Sequence, residues 1–175
     1  MPAALFMALT RTLVHAAVKE TSSPAEALRR VNELLLPDTK QGMFVTAVYA
    51  VLDLNTGEMT YANAGHNPPL WVRRDSLEKL TRTGVALGAS EDAHMTERTI
   101  QLAEGESLLL YTDGLTEAFN LEGDMFGEER LLRALGWQAS ASADDMIKMV
   151  ESALDDFAGA APPSDDLTML AVRRV

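Results

Sequence analysis

Apolar residues recur at a helical spacing over the first 19 residues of the chain. They return every three or four positions, as on one face of an amphipathic helix. The positions are Leu5, Phe6, Leu9, Leu13, Val14 and Ala17. This spacing predicts a helix over residues 2–19 with a wide apolar face.

A second amphipathic helix is predicted after a short polar turn. Ser23 is a typical N-cap residue, Pro24 suits the first helical position, and Glu26 is spaced as the glutamate of a capping box. Pro37 ends this helix. Its apolar face consists of Leu28, Val31, Leu34 and Leu35. Two such helices cannot bury their apolar faces alone, so we expect them to pack on each other and on a sheet.

From residue 43 onward the pattern changes to that of strands. Residues 43–53 and 58–63 are separated by turn residues at 55–57, which predicts an antiparallel hairpin. Further predicted elements are short strands near residues 70–73, 77–81, 94–102 and 107–111, helices over residues 126–135 and 142–157, and a final short strand. Ser142 and Asp145 have capping-box spacing. The density of short strands and turns predicts a sandwich.

Composition and charge narrow the class of protein. The 175 residues are 47% hydrophobic, which is enough for one domain with its own core. The lack of cysteine leaves no disulfide or thiolate metal site and fits a cytoplasmic protein. The formal charge of −11 argues against nucleic acid or an anionic membrane as a partner, because both require a basic patch. The sequence contains no apolar run near the roughly 20 residues of a membrane span.

One stretch has particular chemical interest. Four apolar or aromatic residues, 108–111, run into Thr112, Asp113 and Gly114. The run suits a strand that is covered on both faces, and the Asp-Gly pair is turn chemistry that releases a chain from a sheet. Asp113 would then lie at the end of a buried strand. Taken alone, the stretch favours a plain strand and turn, because Asp-Gly ends many strands without binding anything.

A second stretch favours a functional interpretation. Asp165 and Asp166 lie immediately before another short apolar run. If that run is the antiparallel neighbour of the strand ending near Asp113, then Asp113 and Asp165 converge, although they are 52 positions apart. Converging carboxylates repel unless a cation joins them, and oxygen ligands favour Mg²⁺, Mn²⁺ or Ca²⁺ over Zn²⁺. The residues therefore predict a hydrated divalent-metal site.

Four stretches, in this order, resemble one family of enzymes. They are Pro2-Ala3-Ala4-Leu5-Phe6-Met7-Ala8, Tyr61-Ala62-Asn63-Ala64-Gly65-His66-Asn67-Pro68-Pro69, Tyr111-Thr112-Asp113-Gly114 with Glu117-Ala118 and Phe126-Gly127-Glu128-Glu129-Arg130-Leu131, and Asp165-Asp166-Leu167-Thr168. The set resembles the metal-dependent serine/threonine phosphatases of the SpoIIE/RsbU branch of the PPM (protein phosphatase 2C-like) superfamily. The Gly-Asp-x-Ser-Gly-type motif and the Asp-bearing strand that precede these stretches in relatives are not in this sequence.

The resemblance implies a fold class. We expect an α+β fold, a four-layer α-β-β-α sandwich of two antiparallel sheets flanked by helix pairs, with its N-terminal strands missing. Residues 1–175 would form the C-terminal portion of a single PPM-type phosphatase domain. Because missing strands leave unpaired sheet edges, a homo-oligomer is expected.

The resemblance also implies a mechanism. In the family, two Mn²⁺ or Mg²⁺ ions hold a bridging water, lower its pKa and let hydroxide attack phosphorus in line, without a phosphoenzyme. Asp113 and Asp165 would each ligate one metal. The residues that would support these ligands are Gly114, Glu117, Asp166 and Thr168. Without the bridging aspartate of the family, this chain alone is expected to bind metal weakly and to show negligible activity.

Gly65, His66 and Asn67 belong to the resemblance but not to its metal ligands. An imidazole on such a turn is able to serve as a proton donor or a metal ligand. A structural role, in which His66 holds the turn by a hydrogen bond, is favoured.

The substrate implied by the resemblance is a phosphorylated anti-anti-sigma factor, a STAS-type protein of a bacterial partner-switching pathway. An upstream sensor or receiver domain would control the phosphatase. The alternative is a catalytically inactive fragment or pseudophosphatase that acts as a binding or dimerisation module.

Overall fold

The computed structural model describes residues 3–39, 42–91, 93–136 and 142–175. The elements in chain order are α1 (Ala3–Ala17), α2 (Pro24–Leu35), a 3-10 turn (Leu36–Asp38), β1 (Ala47–Leu52), β2 (Glu58–Ala64), β3 (Leu70–Val72), β4 (Leu77–Lys79), β5 (Arg98–Gln101), β6 (Ser107–Tyr111), α3 (Asp113–Thr116), α4 (Gly127–Leu135), α5 (Ala143–Ala158) and β7 (Met169–Arg173). These elements form two compact units. Unit 1 comprises Met1–His66 and Thr81–Gln101, and unit 2 comprises Asn67–Leu80 and Leu102–Val175.

Unit 1 is built on an antiparallel sheet with the strand order β1-β2-β5. β1 and β2 form the predicted hairpin, and Gly57 adopts φ 78° in its turn. Helix α1 packs on α2, and α2 packs on this sheet, so that the apolar faces of both helices contribute to one core. The buried side chains of this core are Phe6, Ala17, Ala27, Leu28, Val31, Leu35, Ala62, Ala64 and Leu87.

Three details of unit 1 differ from what the sequence predicts. β1 begins at Ala47 rather than at residue 43, and Val45 instead makes an isolated bridge with Leu87. β5 is shorter than the predicted strand. Leu5, expected on the buried face of α1, is 59% exposed. Pro2, the first predicted helical residue, lies outside the described residues.

The N-terminus of α2 is held from outside the helix. Ser23 is its N-cap and accepts a hydrogen bond at Oγ from the Glu26 backbone N–H, at 3.2 Å. The expected capping box is nevertheless incomplete, because the Glu26 carboxylate pairs with Arg29. Glu97, before β5, accepts from Ser23 Oγ at 2.6 Å and from Ala25 N at 3.1 Å. A carboxylate here is favoured by the free N–H groups of the first helical turn.

Unit 2 contains the second antiparallel sheet, with the strand order β4-β3-β6-β7. Leu109 of β6 lies opposite Leu70 of β3 on one side and Ala171 of β7 on the other. Helix α5 packs against β7, and α4 packs against α5. The buried side chains of this core are Leu70, Val72, Leu109, Tyr111, Leu115, Phe126, Leu131, Leu135, Met146 and Val150.

The expected fold class is confirmed, since the chain is α+β with two antiparallel sheets, each accompanied by a helix pair. Among the described residues, none of the helices has both the length and the apolar character needed to cross a membrane.

Candidate functional site

Asp113 lies at the end of a buried strand, as its sequence predicts. β6 ends at Tyr111, Thr112 follows in an extended conformation, and Asp113 begins the one-turn helix α3. Leu115 anchors this turn, because its side chain is fully buried in the core of unit 2. The Asp113 side chain remains exposed to solvent. The sequence predicts a turn here, and the structure gives it the form of a short helix.

The segment with Asp165 and Asp166 runs beside this turn. β7 is the antiparallel neighbour of β6, with Met169 opposite Tyr111, so the end of β6 adjoins the start of β7. The ladder continues one step further, because Thr112 N donates to the Thr168 carbonyl at 3.1 Å. The antiparallel arrangement on which the metal-site hypothesis depends is therefore present.

The two segments are in direct contact at Gly114. A Cβ atom added to Gly114 would lie 2.5 Å from Asp166 O and 3.6 Å from Asp165 Cβ. Such distances leave room for a hydrogen atom but not for a side chain. The structure thus brings together the two segments of the candidate site. We call this region the candidate metal site. It consists of Asp113, Asp165 and Asp166 with the supporting residues Gly114, Glu117 and Thr168.

Each of the two proposed ligands accepts a hydrogen bond at Oδ1 from the backbone N–H of the next residue. Asp113 Oδ1 accepts from Gly114 N at 3.1 Å, and Asp165 Oδ1 accepts from Asp166 N at 2.7 Å. In each carboxylate the local bond fixes one oxygen and leaves Oδ2 for a ligand. Two exposed hard oxygen donors on adjoining segments fit Mg²⁺ or Mn²⁺, which bind a few carboxylates and complete their shells with water. Within the described part of the chain, no three Asp, Glu, His or Cys side chains form a metal-holding group.

Glu117 and Thr168 contribute through their main chains. The Glu117 carbonyl accepts from Ser164 Oγ at 3.3 Å, and the Glu117 N–H donates to the Asp113 carbonyl at 2.8 Å. Thr168 N donates to Thr112 Oγ1 at 3.0 Å. The bond from Ser164 and the bond from Thr168 join residues 112–117 to the segment before β7, and the bond from Glu117 N closes the α3 turn itself. The orienting roles of Glu117, Asp166 and Thr168 remain predictions.

The sequence pattern predicts no role for Thr112 or Ser164, although the hydroxyl of each bonds a backbone carbonyl of the other segment. A threonine immediately before an Asp-Gly turn is a recognisable local pattern, since Ser and Thr hydroxyls often bond nearby backbone groups. The pattern identifies a bonding hydroxyl but not its distant partner.

The Gly65-His66 turn belongs to unit 1, whereas Asn67 and the candidate metal site belong to unit 2. Gly65 has φ +71°, and a Cβ there would lie 2.9 Å from Ala86 N. His66 Nδ1 lies 2.9 Å from Thr46 Oγ1, and the His66 carbonyl accepts from Arg82 Nε at 3.1 Å. These bonds agree with a turn-holding role, which remains a prediction.

Comparison with known proteins gives one consistent family. The model of the family described as Stage II sporulation protein E (SpoIIE) matches residues 1–175. The phosphoserine phosphatase RsbU of Bacillus subtilis is 26% identical over 179 residues, which cover 99% of this chain and 52% of RsbU. The chain thus spans about half the length of that relative.

Two solved structures share the fold. The RsbU and RsbW domains of Rv1364c from Mycobacterium tuberculosis are 29% identical, with a TM-score of 0.76 over 99% of this chain and 48% of that chain. The SiaA-PP2C domain of Pseudomonas aeruginosa has a TM-score of 0.83 at 22% identity, over 98% of this chain and 69% of that chain. The fold is therefore of the PP2C type. Because the family model matches its whole length, the chain belongs to the stage II sporulation protein E (SpoIIE) family.

Proposed function

We propose that the protein containing this chain is a metal-dependent phosphatase of phosphoserine or phosphothreonine in proteins. The observation that carries the proposal is that the end of β6, which leads into Asp113, adjoins the segment with Asp165 before β7, and that each carboxylate is bonded at Oδ1, which leaves Oδ2 for a ligand. Membership of the SpoIIE family supports it.

The residues of the candidate metal site have distinct tasks. Asp113 and Asp165 would each hold one Mn²⁺ or Mg²⁺ ion. Such ions, when bound, neutralise charge on phosphoryl oxygens and activate water. Gly114 allows the two backbone segments to approach, and the bond from Asp166 N orients the Asp165 carboxylate. Asp166 and Glu117 also leave their own carboxylates exposed, where they are able to orient water around a hydrated ion.

The proposed substrate is a phosphorylated anti-anti-sigma protein of the STAS type, with control by an upstream sensor or receiver domain, in the cytoplasm. The similarity to RsbU, named a phosphoserine phosphatase, and to a chain that carries RsbU and RsbW domains together supports this partner-switching context. The formal charge of −11 agrees with a protein partner rather than nucleic acid.

The test measures phosphate release from a serine-phosphorylated STAS protein of the same organism by the intact gene product in millimolar Mn²⁺. We expect Asp113→Asn and Asp165→Asn to lower turnover by about 100-fold or more, because each removes charge and position from one metal. Asp156→Asn, an exposed carboxylate on α5, is the matched control and should retain activity. Unchanged turnover in both site variants would refute the ligand assignment.

The 175-residue chain alone should show negligible hydrolysis of p-nitrophenyl phosphate in millimolar Mn²⁺. Two carboxylates neutralise only part of the charge of two divalent ions, and they hold at most one ion firmly in place. Calorimetric titration should find weak Mn²⁺ binding that Asp113→Asn or Asp165→Asn weakens further. Robust turnover by this chain would contradict the two-carboxylate site.

A second candidate function, a non-catalytic binding or dimerisation module, is favoured by one observation. Apolar side chains on and around the outer strand β1 face solvent, with Phe44 61%, Val51 41% and Leu54 83% exposed. An intact protein that binds its phosphorylated partner without releasing phosphate would favour this module over the phosphatase.

A further inference from the structure

We propose that Thr112 is a positioning residue whose single hydroxyl sets the separation of Asp113 and Asp165. This inference rests on the proposed metal site. Thr112 directly precedes one proposed ligand, and its hydroxyl bonds the segment that carries the other. Thr112 would thus determine how well Asp113 and Asp165 act together, although nothing in the local sequence pattern connects Thr112 with Asp165.

The hydroxyl makes two bonds to the segment before β7. Thr112 Oγ1 accepts from Thr168 N at 3.0 Å and donates to the Asp166 carbonyl at 3.4 Å. A threonine hydroxyl has one hydrogen to donate and lone pairs to accept, so this pair of bonds uses both capacities. The backbone adds a third bond, from Thr112 N to the Thr168 carbonyl at 3.1 Å.

The position of Thr112 would normally direct its hydroxyl elsewhere. Thr112 is the N-cap residue of α3, where a threonine side chain typically accepts from a backbone N–H of the first helical turn. Here the side chain makes no capping bond. Its hydroxyl bonds the Asp166–Thr168 segment instead, which favours a function in joining the segments over a function in starting the helix.

A short chain of bonds connects this hydroxyl to the second ligand. Thr112 Oγ1 holds the carbonyl of Asp166, and the N–H of Asp166 holds Oδ1 of Asp165. Displacement of Asp166 therefore moves the Asp165 carboxylate. Gly114 provides the opposing limit, because its backbone is already in contact with Asp166 O. Attraction at Thr112 and contact at Gly114 together fix the gap against the mutual repulsion of two carboxylates.

The experiment follows Mn²⁺ alone as the probe, with the 175-residue chain, by paramagnetic broadening of the backbone amide signals of Gly114 and Asp166. Thr112→Val keeps the shape of the side chain and removes the hydroxyl. We expect the Mn²⁺ concentration for half-broadening to rise about 10- to 100-fold, as for the loss of other groups that orient a metal ligand. Thr112→Ser keeps the hydroxyl and should remain within about threefold of wild type.

Two further variants make the result specific. Thr99→Val removes a hydroxyl pair with Thr60 in unit 1 and should not change the broadening. Asp113→Asn should raise the half-broadening concentration, and if it does not, the proposed metal site itself is wrong. If Asp113→Asn weakens binding while Thr112→Val matches wild type, or Thr112→Ser is as weak as Thr112→Val, only the positioning role fails. Should Thr112→Val not fold, Thr112→Cys replaces it, because a thiol is a poor hydrogen-bonding substitute.

Discussion

Gly114 lies where the backbones of the two ligand-bearing segments come closest. It is buried, and a Cβ at this position would lie 2.5 Å from the carbonyl oxygen and 3.1 Å from the carbonyl carbon of Asp166. Both are backbone atoms, which cannot rotate away as the end of a flexible side chain can. The φ of Gly114 is not positive, so an unusual backbone conformation does not require glycine here. The close approach of the Asp166 backbone does.

Gly114→Ala should therefore affect both stability and the candidate metal site. We expect it to lower the free energy of unfolding by roughly 1–3 kcal/mol through overpacking. Mn²⁺ binding should weaken as well, because the Asp166 backbone must move. Urea unfolding and Mn²⁺ titration measure the two effects.

The comparison variant for this prediction is Gly123→Ala. Nothing lies within 4 Å of a Cβ there, but Gly123 has φ +84°, so only backbone strain of about 1–2 kcal/mol is expected. Mn²⁺ binding should not change. Equal Mn²⁺ affinity in Gly114→Ala and wild type would show that the close contact does not determine the geometry of the candidate metal site.

The sequence predicts for a physical reason that the segments bearing Asp113 and Asp165 adjoin. Asp113 follows one apolar run and Asp165 precedes another, and antiparallel strands place the end of one beside the start of the other. The partners of Thr112 are not predictable in this way, because two adjoining strand ends do not specify which backbone groups of Asp166 and Thr168 a hydroxyl will bond. Such a bond depends on strand register, which the local pattern does not specify.

Helices α2 and α5 show how far spacing alone predicts a helix start. In α5 the capping box is complete, because Asp145 N donates to Ser142 Oγ at 3.1 Å and Ser142 N donates to Asp145 Oδ2 at 3.2 Å. In α2 the Ser23 cap forms, but Glu26 pairs with Arg29 instead of closing the box. The spacing predicts the N-cap serine correctly in both helices. In α2 an ion pair with Arg29 takes the place of the acidic half of the box, and the spacing does not predict this choice.

The complete box of α5 should make the stability of the chain depend on pH. The pKa of Asp145 is lowered by hydrogen bonds from the hydroxyl and then the backbone N–H of Ser142. A carboxyl group with a lower pKa in the folded state contributes stability above its unfolded pKa, near pH 4, and that contribution is lost as the pH falls through the folded value. We expect Asp145→Asn to unfold at a lower temperature than wild type at about pH 7, with the gap shrinking below about pH 4.

Thermal unfolding followed by circular dichroism across this pH range checks the prediction. Asp144→Asn is the matched control, because Asp144 is exposed in the same helical turn and takes no part in the capping box. Its gap to wild type should be smaller at neutral pH. A gap for Asp145→Asn that stays constant from about pH 7 to about pH 3 would contradict the linkage.

At the scale of the whole chain, the two units are interleaved along the sequence. The chain passes from one to the other between residues 66 and 67, between residues 80 and 81, and between residues 101 and 102. The periodicity of apolar residues predicts the helix pairs, the hairpin and the α+β class. It does not predict that β3 and β4 join the sheet of β6 and β7, because that choice depends on distant pairs such as Leu70 with Leu109.

The outer strand β1 is the feature of the molecule best suited to self-association. Among the described strands it pairs only with β2, so its other edge presents backbone N–H and C=O groups that an added strand is able to bond. Apolar side chains near this edge are exposed, with Phe44 61%, Val51 41% and Leu54 83% accessible. An apolar edge of this kind favours pairing between copies.

We therefore expect the 175-residue chain to form a dimer or larger oligomer in solution. Val51→Lys should shift the population toward monomer, because a charge on an outer strand must lose its water when two such strands pair. Leu121→Lys, at an apolar position of unit 2 that is 69% exposed, is the matched control and should leave the assembly unchanged. Light scattering at micromolar concentration distinguishes these outcomes. A stable wild-type monomer of about 19 kDa would contradict association, and an equal loss of assembly in both variants would place the contact elsewhere than β1.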